Sequence, residues 1–214
     1  MERQDFLKQN RIIILLCIIF FVGIIGHIIP EIRPLMLLLT PYMLFASGLL
    51  VFYLTLRKGE LKLLLWCLII YIVTFSLEVV GIKTGLIFGS YSYGSTLGFQ
   101  FLGVPLIIGF NWVIVILGAI TIAEQIDQNI FLTALFAGTL AVLFDIMMEP
   151  VAIKLDYWEW NSGFIPISNY YAWFGIAFLS SMLYDFFNIK TKEKLPEIYF
   201  TIQFVFFILL SFFI

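Results

Sequence analysis

The chain has 214 residues, of which 62% are hydrophobic and only 12% charged, with a formal net charge of −2 and a mean hydropathy of +1.06. That composition excludes an ordinary soluble domain, and no nucleic-acid partner is expected of a chain with so few cations. The apolar residues fall in repeated continuous runs of about 20, the length that crosses a bilayer as a helix, and their lack of alternation argues against a β-barrel.

Seven spans follow in chain order. The first, 11–29, is too long for a signal peptide and is not followed by a small-x-small cleavage site, so it is read as retained. It holds Cys17 and, at its outer end, His27, before Pro30 and Pro34 interrupt the helix. The second, 35–56, is separated by Arg57-Lys58-Gly59-Glu60 from the third, 61–80, which carries Cys67 and Glu78. A long connection, 81–102, holds Gly81, Gly85, Gly89, Gly94 and Gly98 with Tyr91 and Tyr93. The fourth span, 103–124, contains Asn111 and Trp112, and a short polar turn at 124–129 leads to the fifth, 130–149, with Asp145 and Glu149. A second long connection, 150–169, contains Trp158, Trp160, Gly163 and Pro166. The sixth span, 170–187, carries Asp185, and Lys190 to Lys194 precede the last, 197–214. No internal repeat divides the chain. The sequence therefore predicts one domain, an all-α integral membrane protein built as a seven-helix transmembrane bundle.

Positive charge sets the orientation. Arg3, Lys8, Arg11, Arg57, Lys58, Lys62, Lys190, Lys192 and Lys194 fall on one side, against Arg33, Lys83 and Lys154 on the other. This predicts a multi-pass protein of the plasma membrane, its N-terminus cytoplasmic and its C-terminus outside. The two long connections then lie outside, folded over the mouth of the bundle. Cys17 and Cys67 read as small apolar residues within spans. His27 has no second histidine or nearby cysteine, so no metal site is predicted.

Four acids lie inside or at the ends of spans, where an ionised carboxylate is costly: Glu78, Asp145, Glu149 and Asp185. The first three map to the outer side. Asp145 and Glu149 are four residues apart and share a helix face. Like charges this close in a low dielectric cannot all ionise cheaply, so at least one is expected to hold a proton, as general acid–base chemistry requires. The competing reading is anchoring, with Glu78 paired to Lys83 and Glu149 to Lys154. Asp185, toward the cytoplasmic end near Lys190, reads as structural. Tyr91, Tyr93, Trp158, Trp160, Tyr170, Tyr171 and Trp173 form either an interfacial aromatic belt or a box whose π faces stabilise a cation or line a polyene tunnel.

The ordered set Glu78-Val79-Val80-Gly81-Ile82-Lys83-Thr84-Gly85, Gly89-Ser90-Tyr91-Ser92-Tyr93, Gly103-Val104-Pro105, Asn111-Trp112, Asp145 to Glu149-Pro150, Tyr157-Trp158-Glu159-Trp160, Ile165-Pro166 and Asn169-Tyr170-Tyr171-Ala172-Trp173 resembles the carotenoid biosynthesis family of membrane hydratases. The resemblance covers about 75–175. It implies addition of water to the 1,2 double bond of an acyclic carotenoid end group, with a lipophilic carotenoid, water and membrane lipid as partners and no cofactor. Such a reaction needs a desolvated acid, a π-lined pocket for a tertiary cation, and a positioned water with a base. Asp145 is the first choice of acid, with Glu78 and Glu149 positioning water and accepting its proton; acid and base can be exchanged on this reading. Asn111, Tyr91 and Asn169 are candidates to orient the water. Trp158, Trp160 and Trp173, with Tyr93 beside Tyr91, are candidates to line the substrate.

Three alternatives compete. A proton-coupled transporter would stagger acids through the membrane and favour repeat symmetry. A carotenoid cyclase would share the cation but lose a proton rather than gain water. A retinal protein of the usual kind is excluded, because 197–214 contains no lysine.

Overall fold

Long apolar runs in lipid must satisfy their backbone internally, and among the described residues they do so as seven helices. The computed structural model describes residues 2–56, 61–191 and 193–214, with backbone alone for residues 2–8. In order, the helices are α1 (Glu2–Ile28), α2 (Arg33–Leu56), α3 (Leu61–Thr84), α4 (Leu106–Ile126), α5 (Ile130–Lys154), α6 (Ile167–Phe186) and α7 (Leu195–Phe213). Six of the described helices are long and apolar enough to cross a membrane. The other, α6, is of similar length but carries Asn169, Ser180, Ser181 and Asp185. The loop at 57–60 and Lys192, used to predict orientation, lie outside the described residues, as do the side chains of Arg3 and Lys8.

Burial grades the bundle. In α4, 78% of the most apolar window is buried, against 17% in α1 and α2. A helix apolar on every face belongs at the centre of a bundle, and α4 occupies it, packed by α2, α3, α5, α6 and α7. Large apolar side chains such as Phe21, Leu38, Leu68 and Phe212 point outward, as a lipid-facing surface allows. Polar bridges tie neighbours together: Trp66 Nε1 donates to the Ser180 carbonyl at 2.9 Å, joining α3 to α6.

The fifth helix runs longer than its sequence predicts. The fifth span is predicted to end at 149, yet α5 continues through Pro150 to Lys154. Proline removes only its own N–H, at the cost of the bond to the Ile146 carbonyl, and the bundle supports the remaining turn.

The helices bear out the all-α class, while the two long connections, read from sequence as loops, carry short strands: β1 (Tyr91–Tyr93), β2 (Gln100–Phe101), β3 (Val104–Pro105) and β4 (Trp158–Trp160). β1 pairs antiparallel with β4, placing Tyr91 opposite Trp160 and Tyr93 opposite Trp158. The reason is visible in Tyr-Ser-Tyr and Trp-Glu-Trp, which alternate at the strand period: the aromatic rings turn into the bundle while Ser92 and Glu159 face outward. β2 and β3 form a tight hairpin whose turn residues, Leu102 and Gly103, both have positive φ (54° and 86°), the signature of a type I′ turn.

These connections close one end of the bundle. Gly94 N–H extends the sheet by donating to the Tyr157 carbonyl at 2.9 Å. A Cβ at Gly94 would run into the Asp156 carbonyl, so this approach requires glycine. Lys154 Nζ donates to the Ile214 carbonyl and brings the end of α7 to the same end. At the opposite end, Gln125 of α4 donates to Glu197 of α7.

Candidate active site

Three helices each contribute an i, i+4 pair beneath the β1–β4 sheet: Ile108 and Trp112 from α4, Asp145 and Glu149 from α5, Asn169 and Trp173 from α6. Glu78 from α3 completes the ring, and Tyr91, Tyr93, Trp158 and Trp160 form the roof. Together with Met148 they enclose a cavity of about 20 Å³. That is room for one water molecule and far less than a carotenoid end group needs.

The acids are deeply placed: Asp145, Glu149 and Glu78 are 1%, 2% and 3% exposed. Their partners come from the roof and from α6. Glu78 Oε2 accepts from the hydroxyls of Tyr91 and Tyr93, the latter at 2.7 Å. Glu149 Oε2 accepts from Trp158 Nε1 at 2.9 Å and Trp160 Nε1 at 3.0 Å. Asn169 Nδ2 bridges the pair on α5, donating to Asp145 Oδ2 at 2.6 Å and Glu149 Oε1 at 3.3 Å. Asp145 Oδ1 is buried and has no hydrogen-bond partner. Burial first, then the neighbouring Glu78 carboxylate, pushes the phenol pKa values of Tyr91 and Tyr93 up, so both remain donors.

The aromatic groups stack around this chamber. The Trp112 and Trp173 rings lie 3.5 Å apart between centroids, inclined by 14°. Tyr91 packs on Trp160 at 4.8 Å, and Tyr93 meets Trp158 edge-on at 6.0 Å.

Residues 39–214 match the sequence profile of a family described as "Carotenoid biosynthesis protein". The chain belongs to the carotenoid biosynthesis protein family. Over 121 residues it is 27% identical to bisanhydrobacterioruberin hydratase of Haloarcula japonica, a stretch covering 53% of this chain and 41% of that protein. The chain therefore aligns with less than half the length of this relative. No solved structure matches it significantly.

Within this carotenoid biosynthesis protein, nine of the ten residues singled out from sequence line the one chamber: Glu78, Tyr91, Tyr93, Asp145, Glu149, Trp158, Trp160, Asn169 and Trp173. The tenth, Asn111, is placed elsewhere: its Oδ1 accepts from Gln203 Nε2 of α7 at 2.9 Å. Adjacent helix positions point about 100° apart, so Trp112 and Asn111 cannot both face the acids. Trp112 was not among the predicted site residues, because α4 is apolar all round and its sequence carries no sidedness. The anchoring alternative loses its partners, since Glu78 takes phenols, Glu149 takes indoles and Lys154 reaches Ile214. Asp185 lies at the far end, within electrostatic range of Glu124 and away from the chamber. The aromatic residues divide: Tyr91, Trp158, Trp160 and Trp173 are buried around the acids and Tyr93 is half-buried on Glu78, whereas Tyr171 is 70% exposed and Tyr170 half-buried.

Proposed function

We propose that this protein is a carotenoid hydratase, adding water to the 1,2 double bond of an acyclic carotenoid end group. The observation that carries the reading is the unequal supply of donors to three acids around one water-sized chamber. Glu149 accepts from Trp158, Trp160 and Asn169, and Glu78 from Tyr91 and Tyr93, while Asp145 accepts from Asn169 alone. N–H and O–H donors support a carboxylate, not a carboxylic acid. Glu78 and Glu149 are therefore assigned as the anions and Asp145 as the acid, its proton on the unpartnered Oδ1.

The reaction balances without an oxidant or reductant. The alkene π pair takes the Asp145 proton at its CH carbon, forming a C–H bond and leaving a tertiary cation on the neighbouring carbon. The aromatic rings lining the chamber stabilise that cation. A water oriented by Glu78 adds through oxygen, and its proton passes to Glu149. Asn169, in contact with both α5 acids, keeps Glu149 beside Asp145 for return of the proton. One water is consumed per double bond and the acid is regenerated. The chamber has room for water alone, so it must widen for the end group to reach Asp145.

Membership of a carotenoid family and the name of the hydratase relative support this substrate class. The test is expression in cells making lycopene, γ-carotene or a longer acyclic carotenoid, with chromatography and mass spectrometry of the pigments. The expected product is more polar, heavier by one water and unchanged in chromophore. An isomass product would replace hydration by cyclisation. Unaltered pigment in all three hosts, with the protein inserted, would refute hydration.

We further propose that all seven helices cross the plasma membrane, with the N-terminus cytoplasmic and the acidic chamber at the outer end. The polyene then lies along the bilayer normal and its new hydroxyl emerges at headgroup depth. Ser95, in the connection after β1, is expected to react as Ser95→Cys with a membrane-impermeant maleimide in intact cells. Labelling only after lysis would reverse the orientation.

A further inference from the structure

A second cavity, of about 270 Å³, lies between α1, α2 and α7. It approaches the lower end of the size range of small-molecule sites, roughly 300 Å³. Its wall is mostly apolar, including Phe20, Met36, Leu44, Phe206 and Phe207. Ile18 and Val22 on its rim are more than half exposed, so it opens sideways toward lipid. Such a groove alone would accept any acyl chain.

Its polar atoms are more selective. Gln203, 1% exposed, lines the cavity; its Nε2 donates to Asn111, and its Oε1 has no hydrogen-bond partner. His27 also lines it. The ring's Nδ1 lies 2.7 Å from the Gly23 carbonyl, which can only accept, so Nδ1 carries the hydrogen and Nε2 of the neutral ring is an acceptor. The nearest hydroxyl, Thr40 Oγ1, is 3.5 Å from Nε2 and donates instead to the Met36 carbonyl at 2.9 Å. Ser47 is similarly occupied: it donates to the Met43 carbonyl at 2.6 Å and receives the Tyr199 hydroxyl at 2.8 Å. Gln203 Oε1 is thus a buried acceptor with no donor among the described residues, on the wall of an apolar space, an arrangement that a ligand hydroxyl would satisfy.

The cavity adjoins the acidic chamber. Tyr157, on its wall, packs against Trp158 of the roof at 6.1 Å, and Phe207 meets Phe144, which in turn contacts Trp112.

We propose that this cavity binds the hydroxylated end of an acyclic isoprenoid, with the chain between α1 and α2 and the hydroxyl donating to Gln203 Oε1. The identity of the ligand rests on the hydration reading, because a tertiary isoprenoid alcohol is what that reaction makes. Asn111 acquires a role here, holding the Gln203 amide with its oxygen free.

The test uses the full chain in nanodiscs and two probes: a four-isoprene-unit acyclic terpene ending in a 2-hydroxypropan-2-yl group, and its methyl ether. The alcohol is expected to bind roughly fivefold to tenfold more tightly, the contribution of one neutral hydrogen bond. Gln203→Met is expected to abolish that preference and Asp145→Asn to keep it. Equal binding of the two probes would make the cavity a lipid groove and overturn the proposal. A preference that survives Gln203→Met, or disappears in Asp145→Asn, would place the hydroxyl elsewhere. Met43→Trp fills the groove from α2; it is expected to abolish binding of both probes, and binding that persists would overturn the proposal even if Gln203→Met fails to fold. Hydration is read separately: a protein that binds the alcohol through Gln203 but hydrates nothing keeps this site and refutes the reaction.

Discussion

Asp145→Asn is expected to lower hydration by roughly a hundredfold to ten-thousandfold, the span attributed to a positioned general acid. The substitution is nearly isosteric. An asparagine oxygen still accepts from Asn169 Nδ2, which now holds Asp145 Oδ2 at 2.6 Å. At the Oδ1 position an amide carries no transferable proton. Packing around a residue that is 1% exposed should therefore survive while proton transfer fails. The measurement is hydrated pigment per inserted protein, beside thermal unfolding in detergent, where the midpoint should move little. A variant retaining a tenth or more of the activity would remove Asp145 from the role of acid and leave Glu78 and Glu149 as the candidates.

The second large effect is expected from the roof. Trp158→Phe and Trp160→Phe together strip Glu149 Oε2 of both its indole donors, now at 2.9 and 3.0 Å. A buried acceptor left unsatisfied costs about 1–3 kcal/mol, and more when it is charged. The double variant should therefore unfold at a clearly lower temperature than either single variant and lose activity. Removing the acid as well supplies the decisive comparison. With Glu149→Met added, donors and acceptor disappear together, and stability should recover most of the loss, because replacing both partners by apolar groups is close to neutral. Activity should not recover. A triple variant as unstable as the double would mean that the indoles act by packing alone, and the donor count that selects Asp145 as the acid would lose its basis.

Much of the site was legible because acids and tryptophans in apolar sequence are conspicuous. Asp145 and Glu149 needed only the helical period to be placed on one face. The pairing of Glu78 with Tyr91 and Tyr93, and of Glu149 with Trp158 and Trp160, was not legible. Lysines lay closer in sequence, at Lys83 and Lys154, and offered the nearest opposite charges. The folded connections override that proximity, since β1 and β4 bring aromatic donors from 13 and 11 residues away and seal out the solvent that lysine would need. The strands themselves were encoded in the alternation of Tyr-Ser-Tyr and Trp-Glu-Trp. Three-residue runs this short can be recognised only when a partner strand is known.

By itself the sequence determined that this is a helical membrane protein with Glu78, Asp145 and Glu149 toward one end, because length, hydropathy and helical period are local properties that lipid enforces without reference to neighbours. Only the tertiary structure decided which helix lies at the centre, that Trp112 rather than Asn111 faces the acids, and that the acidic chamber and the cavity between α1, α2 and α7 are separate spaces. An all-apolar helix has no preferred face in its own sequence, so its rotation is set by what packs around it. A hydrogen-bond partner across the bundle is likewise a fact of three dimensions: Asp145 Oδ1 and Gln203 Oε1 are unpartnered only once every neighbouring helix is in place.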